Sequence, residues 1–245
     1  MICQCEEVHF SMDVPTVTEL HLTDASIGQP LLVRPRRVIL AGYTGRDQEQ
    51  VRRHIEELRE QGIPAPERTP ETYSVDPGGL QIGGRLASGE GWSSGEIEFV
   101  LYEVLDGTYV GVGSDHTDRM IERTSFVASK RAFPKIVSAE VWPVTALESA
   151  WDRIVLRSWI TADGVRTVYQ ESLLAAILRP NDLLRLVPSA DRGDGLVLFS
   201  GTVPAVGPPP ETGSCRFEGH LTSPEGATLA GFAYDYEAGP RSPHH

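Results

Sequence analysis

Apolar and polar positions alternate or cluster along this chain in short runs, and the runs predict strands more often than helices. Residues 37–42 (Arg-Val-Ile-Leu-Ala-Gly) form a brief apolar run closed by a glycine, the pattern of a buried strand. Residues 47–61 predict the clearest helix: Val51, Ile55 and Leu58 make an apolar stripe at i, i+4 and i+7, with Gly62 at the C-cap position. Residues 96–102 and 109–113 predict a hairpin turned at Asp106-Gly107, and 154–160 with 166–170 a second one turned at Asp163-Gly164. Residues 172–178 read as a short helix ended by Pro180, and 196–199 as a buried strand running into the loop 201–207. Residues 1–35 read as a proline-punctuated N-terminal arm with strands, 36–237 as one domain, and 238–245 as a loose tail. No internal repeat and no dividing linker is present. The expected fold class is mixed, β-rich α+β.

Composition agrees with that picture. With Gly 24 and Pro 18 in 245 residues, turns are frequent and long helices few, and the chain is long enough to bury the core of one large domain. A net charge of −12 argues against a nucleic-acid partner, whose phosphates need a basic surface, and suits a protein that holds cations. No apolar run approaches the roughly 20 residues of a membrane span. The N-terminus lacks the basic and apolar regions of a signal peptide, so a cytoplasmic protein without a membrane partner is expected. Cys3, Cys5 and Cys215 are an odd set that does not read as a disulfide framework. Cys3-x-Cys5 could touch a soft metal, but no second Cys or His pair at zinc spacing follows it, so unpaired thiols are expected.

Chemistry concentrates in the first hairpin. Glu96 and Glu98, spaced i, i+2 on a strand, point to one face. Two adjacent buried carboxylates repel, and a hard divalent ion removes that penalty. Alternating Glu with apolar residues also suits a strand half exposed to water. Asp115 ends the returning strand, and pairing across the turn can bring it near both glutamates. Three carboxylates suit Mg2+ or Mn2+ better than zinc. The neighbouring His116 should point to the opposite face, in a structural or supporting role. His54 and Glu57, i, i+3 on the predicted helix, could form a general base for water or be solvated decoration. Lys130 and Lys135 are the only lysines, and Lys130 is a candidate oxyanion partner, although an exposed lysine is the ordinary case.

These pieces, in this order, resemble the fumarylacetoacetate hydrolase superfamily, most closely a functionally uncharacterised bacterial branch of it. Gly42-Tyr43 followed by His54-x-x-Glu57 is similar to the family's N-terminal Gly-x-Asn-Tyr…His-x-x-Glu element, and Glu96-x-Glu98 to its metal-binding strand. Residues 113–119 (Gly-Ser-Asp-His-Thr-Asp-Arg) resemble its Gly-Asn-Asp-x-Ser-x-Arg segment, Lys130 falls near its active-site lysine, and residues 201–207 resemble its Thr-Gly-Thr-Pro-x-Gly-x-Gly loop. The likeness spans roughly residues 36–235. Gly42 stands where the family has Asn, His54 lies several residues further from the tyrosine, and the interval from Glu98 to Asp115 is shorter than usual.

The resemblance implies a β-roll or flattened barrel with few short helices and a small N-terminal arm, usually dimeric. It implies Mg2+ or Mn2+ on Glu96, Glu98 and Asp115, and a small carbonyl or carboxylate substrate. Tyr43, Arg119 and Thr202 would bind that substrate, Lys130 would anchor an oxyanion, and His54 with Glu57 would activate water. The implied reaction is hydrolysis of a C–C bond next to carbonyls in a 2-oxo acid or 1,3-dicarbonyl. A decarboxylase, isomerase or cyclase using the same metal, and a non-catalytic ligand-binding relative, are the alternatives, since fold does not fix reaction.

Overall fold

The computed structural model describes residues 19–60, 69–87, 91–209 and 212–240; the side chains of residues 54 and 57–60 lie outside the description. The chain opens with a hairpin of β1 (Leu20–Asp24) and β2 (Gln29–Val33), then β3 (Arg37–Gly42) and helix α1 (Gln48–Glu60). Strand β4 (Glu71–Val75) returns antiparallel on β3. Three short strands, β5 (Leu80–Ile82), β6 (Gly84–Arg85) and β7 (Ser93–Ser94), lead into the hairpin of β8 (Ile97–Val104) and β9 (Gly107–Ser114). Then come β10 (Thr117–Asp118), helices α2 (Arg119–Glu122) and α3 (Phe126–Arg131), β11 (Lys135–Val137), β12 (Glu140–Pro143) and helix α4 (Val144–Leu147). A second hairpin, β13 (Val155–Ala162) and β14 (Val165–Leu173), is followed by helix α5 (Pro180–Leu186) and β15 (Leu196–Phe199). Two long strands, β16 (Gly213–Thr222) and β17 (Thr228–Ala238), complete the described chain.

Among the described residues, a ten-stranded mixed sheet runs β2-β1-β12-β9-β8-β15-β3-β4, with β11 joining β9 to β5. A five-stranded sheet, β14-β13-β16-β17-β6, packs against it. The two-residue period of β8 sorts its side chains between two apolar layers. Ile97, Phe99 and Leu101 join the layer between the sheets with Trp151, Leu156, Phe217 and Tyr234. Val100 and Tyr102 join the opposite layer with Leu40, Val137, Val197 and Phe199. Each such fully buried side chain contributes about 1.5–3 kcal/mol, so a one-residue slip of β8 would forfeit both layers at once. Glu96 and Glu98 share the register of Val100 and Tyr102 and therefore the face turned away from the second sheet. This β-roll with few short helices is the expected architecture.

Several elements follow the predicted pattern closely. Asp47 caps α1, its Oδ1 accepting the amides of Glu49 at 3.1 Å and Gln50 at 3.0 Å, and Ile55 is buried as the stripe requires. Asp163 and Gly164 take φ of 50° and 76°, the left-handed pair demanded by a two-residue turn between Ala162 and Val165. Elsewhere the structure corrects the reading. The first hairpin turns one residue earlier, at Leu105-Asp106, because Val104 pairs with Gly107. The helix expected at 172–178 is strand through Leu173 and a single 3-10 turn at Leu174–Ala176. Pro180 begins α5 rather than ending a helix: its missing N–H is costless in a first turn. The strands of the expected arm belong to the large sheet, β1 pairing in parallel with β12, and β17 continues through Ala238. Cys3, Cys5, Gly62 and residues 241–245 lie outside the described residues.

Candidate metal centre

The centre forms where β8 begins and β9 ends. The antiparallel register sets Glu98 opposite Gly113, and the amide of Asp115 donates to the carbonyl of Glu96 at 2.9 Å. Glu96, Glu98 and Asp115 thereby present carboxylate oxygens that all lie within 4.8 Å of one another, and all three residues are buried. The glycine opposite Glu98 is required by its neighbours: a Cβ at Gly113 would stand 2.6 Å from the carbonyl oxygen of Ile136. Past the end of β15, side chains continue the hydrogen bonding of β8. Gln170 reaches over from the second sheet, its Oε1 accepting from the Ile97 amide at 3.0 Å, while Thr202 Oγ1 donates to the Ile97 carbonyl at 2.9 Å. Gln170 Nε2 ties the two together by donating to Thr202 Oγ1 at 2.8 Å.

Three cations surround the carboxylates. Lys130 on α3 places Nζ 2.9 Å from Asp115 Oδ2, pairs with Glu96 Oε2 and donates to Thr117 Oγ1 at 3.0 Å. Lys135, first residue of β11, stands 2.6 Å from Asp115 Oδ1 and donates to the His116 carbonyl at 3.0 Å. Arg119 engages all its donor nitrogens: Nε with Ser94 Oγ at 2.9 Å, Nη1 with Glu122 at 2.8 Å and Nη2 with Glu96 Oε1 at 2.7 Å. Glu98 is different. Its Oε2 accepts the Gly201 amide at 2.7 Å, and among the described residues no lysine or arginine pairs with it. Gly201 can deliver that amide only as glycine, with φ +85° and a would-be Cβ 2.3 Å from Thr44 Oγ1.

Charge and burial explain how these groups titrate. Burial raises Glu96, but the charges of Arg119 and Lys130 outweigh it and hold its carboxyl at about 2. Glu98 is pushed well up, first by burial and then by the neighbouring Asp115 charge. Burial opposes the charge on Lys130, yet Asp115 and Glu96 overcome it and raise Lys130 above its ordinary value. A centre built from three carboxylate oxygen donors, one of them without a paired cation among the described residues, fits Mg2+ or Mn2+, and these three residues would hold the ion.

Lys130 and Arg119 contact triad carboxylates directly, and Thr202 contacts the Ile97 carbonyl between the two glutamates. Tyr43 stands close by at φ 58°, its phenol raised by burial and by the charges of Glu71 and Glu122. His116 turns to the other side, buried between Tyr234 Oη at 2.8 Å and Ser93 Oγ at 3.0 Å and kept neutral first by burial, then by Lys135. The side chains of His54 and Glu57 lie outside the described residues; helix α1 carries them at i, i+3. Gln170 escaped the sequence reading, and Lys135 and Gly201 were noticed there without a role. Lysine scarcity marked both lysines, but nothing local placed the second on Asp115.

No curated protein matches the chain. A family profile described as "Protein of unknown function (DUF2848)" matches residues 41–231. Among solved structures, the chain is similar to a candidate fumarylpyruvate hydrolase from Burkholderia cenocepacia, 17% identical over 98% of this chain and 100% of that one, with a TM-score of 0.63. It is also similar to fumarylpyruvate hydrolase from Pseudomonas aeruginosa in complex with Mn2+ and pyruvate: 17% identity, 89% and 96% coverage, TM-score 0.57. A third similarity is to the apo form of 2-keto-3-deoxy-D-arabinonate dehydratase, with 13% identity, 85% and 74% coverage, and a TM-score of 0.57.

Proposed function

We propose that this chain, which belongs to the DUF2848 family of proteins of unknown function and has the fold of fumarylacetoacetate hydrolase family proteins, is a divalent-metal-dependent hydrolase. Its reaction is cleavage of a C–C bond adjacent to carbonyls in a small 2-oxo acid or 1,3-dicarbonyl compound. The observation that carries this reading is the buried triad Glu96, Glu98 and Asp115, with no lysine or arginine paired to Glu98 among the described residues. A bound Mg2+ or Mn2+ would supply Lewis acidity toward vicinal carbonyl oxygens. A structural relative that holds Mn2+ and pyruvate supports both the metal and the substrate class.

Contacts around the triad support roles for several of the chain's own residues. Lys130 is a buried cation beside the triad, suited to hold oxyanion charge as it develops. Arg119 orients Glu96, and Thr202, fixed by Gln170 and Ile97, borders the substrate together with Tyr43. Hydrolysis adds water to a carbonyl carbon, which leaves as a carboxylate; the adjoining C–C bond breaks with its electron pair retained as enolate, and the enolate carbon takes up a proton. His54 and Glu57 on α1 are the pair we assign to the water. The family likeness further supports a homodimer.

The test is a panel of acylpyruvates and other 2-oxo acids incubated with Mg2+ or Mn2+, with products followed by mass. Cleavage with water added supports hydrolysis. Loss of CO2, loss of water or a mass-neutral change would replace it by a lyase or isomerase on the same centre, and a silent panel by a ligand-binding role. The fold shared with a dehydratase favours the lyase as second reading.

A further inference from the structure

Two of the three carboxylates that would hold an ion are already held by cations of the chain, oxygen by oxygen. Glu96 Oε1 meets Arg119 Nη2 at 2.7 Å, and Glu96 Oε2 meets Lys130. Asp115 Oδ1 meets Lys135 at 2.6 Å, and Asp115 Oδ2 meets Lys130 at 2.9 Å. Arg119 and Lys135 each touch one member of the triad and are anchored outside it, Arg119 by Ser94 and Glu122, Lys135 by the His116 carbonyl. Among the described residues Lys130 alone bridges two members of the triad, whose ligand oxygens lie within 4.8 Å of one another. Its other contacts are neutral: Thr117 Oγ1 at 3.0 Å and the ring of Phe126 at 5.1 Å. A cavity of about 680 Å³, lined by Lys130 together with Ser74, Asp76 and Phe133, gives its flexible stem room to move.

Resting on the metal reading above, we propose that Lys130 competes with the divalent ion for Glu96 and Asp115. Its ammonium holds both carboxylates until the ion displaces it, and only then is it available to an oxyanion of the substrate. An ion bound roughly 2.0–2.6 Å from an oxygen that the ammonium also held would stand within roughly 5.5 Å of that ammonium. Both charges are positive, and in a buried setting water screens them poorly. One of the three cations must therefore withdraw, and Lys130 is the one whose departure frees an oxygen on each carboxylate.

The test reads the two lysines separately, which is simple because the chain has no others and both are buried. An amine-acylating reagent, followed by peptide mass, should label Lys130 at least fivefold more when the unaltered protein is saturated with Mg2+, and Lys135 within twofold of before. In calorimetry, Lys130→Met should bind Mn2+ at least tenfold more tightly than the unaltered protein. Lys135→Met, which removes an equal charge from the same Asp115, should gain less than threefold. If Lys130→Met fails to fold, Lys130→Gln removes the charge and keeps a donor, and the acylation needs no variant. Mg2+ bound with Lys130 labelling unchanged or lowered would overturn the inference and leave the metal reading standing. An equal gain in both variants would overturn it too, by reducing the effect to net charge. Mn2+ taken up by neither the unaltered protein nor a folded Lys130 variant would instead sink the metal reading and this inference with it.

Discussion

Glu98 carries most of the weight at the scale of single residues. Its carboxyl is buried, repelled by Asp115 and supported by one backbone amide, so its charge is costly until a cation arrives. Glu98→Gln keeps the shape and removes that charge. Isothermal titration should show Mn2+ affinity lowered at least tenfold, while the melting temperature of the metal-free protein does not fall. Gln170 makes the opposite kind of contribution. Gln170→Leu would strand the buried Ile97 amide and release Thr202, and should cost about 1–3 kcal/mol in urea unfolding. Glu-x-Glu was legible in the sequence because a strand's two-residue period converts spacing directly into a shared face. Gln170 was not, because its partners lie 73 and 32 residues away in sequence.

At the scale of elements, the β8–β9 hairpin is the frame of the centre. Its closeness to β11 depends on a missing side chain, since a Cβ at Gly113 would approach Ile136 O to 2.6 Å and Val100 Cγ2 to 2.9 Å. Gly113→Ala should therefore destabilise by roughly 1–3 kcal/mol, as overpacking does. By shifting β9 it should also weaken Mn2+ binding through Asp115, which titration on the same sample would reveal. Helix α1 tests the hydrolytic role. His54→Ala should reduce turnover about 10²–10⁴-fold, as loss of a general base does, with Mn2+ affinity unchanged. Activity within a few-fold of the unaltered protein would remove α1 from the chemistry and bring the lyase reading forward. That a hairpin and α1 exist was readable, for both follow from local runs: strand-like segments either side of a turn signal, and an apolar stripe at i, i+4 and i+7. The segment 172–178 was misread because its apolar run fits either period; pairing of β14 with β13 keeps it extended through Leu173, where a single 3-10 turn takes over.

For the whole molecule, metal binding and folding should be coupled, because the triad exists only when β8 and β9 are paired. With Mn2+ at a hundredfold above its dissociation constant, stability should rise by about 2.7 kcal/mol. In a chain of this size that is a melting shift of roughly 5–10 °C. Scanning calorimetry should show the shift, EDTA should reverse it, and Glu98→Gln should lack it. Light scattering at micromolar concentration should give a homodimer; a monomer would contradict that assignment. Among the described residues no helix is long and apolar enough to cross a membrane.

Sequence alone determined what depends on neighbours along the chain: the periods of its strands, the presence of its two hairpins, and the shared face of Glu96 and Glu98. The order of its short motifs also sufficed to point to a fold, because each motif keeps its local conformation wherever the chain carries it. Tertiary structure decided what depends on distance through space. The chain's only two lysines both close on Asp115, Glu122 takes an arm of Arg119, and Gly201 brings an amide to a carboxylate 103 residues earlier. Spacing carries no record of such meetings. They arise when the apolar layers close on both faces of β8, and burial then turns chance proximity of charges into pairs that cannot be broken cheaply.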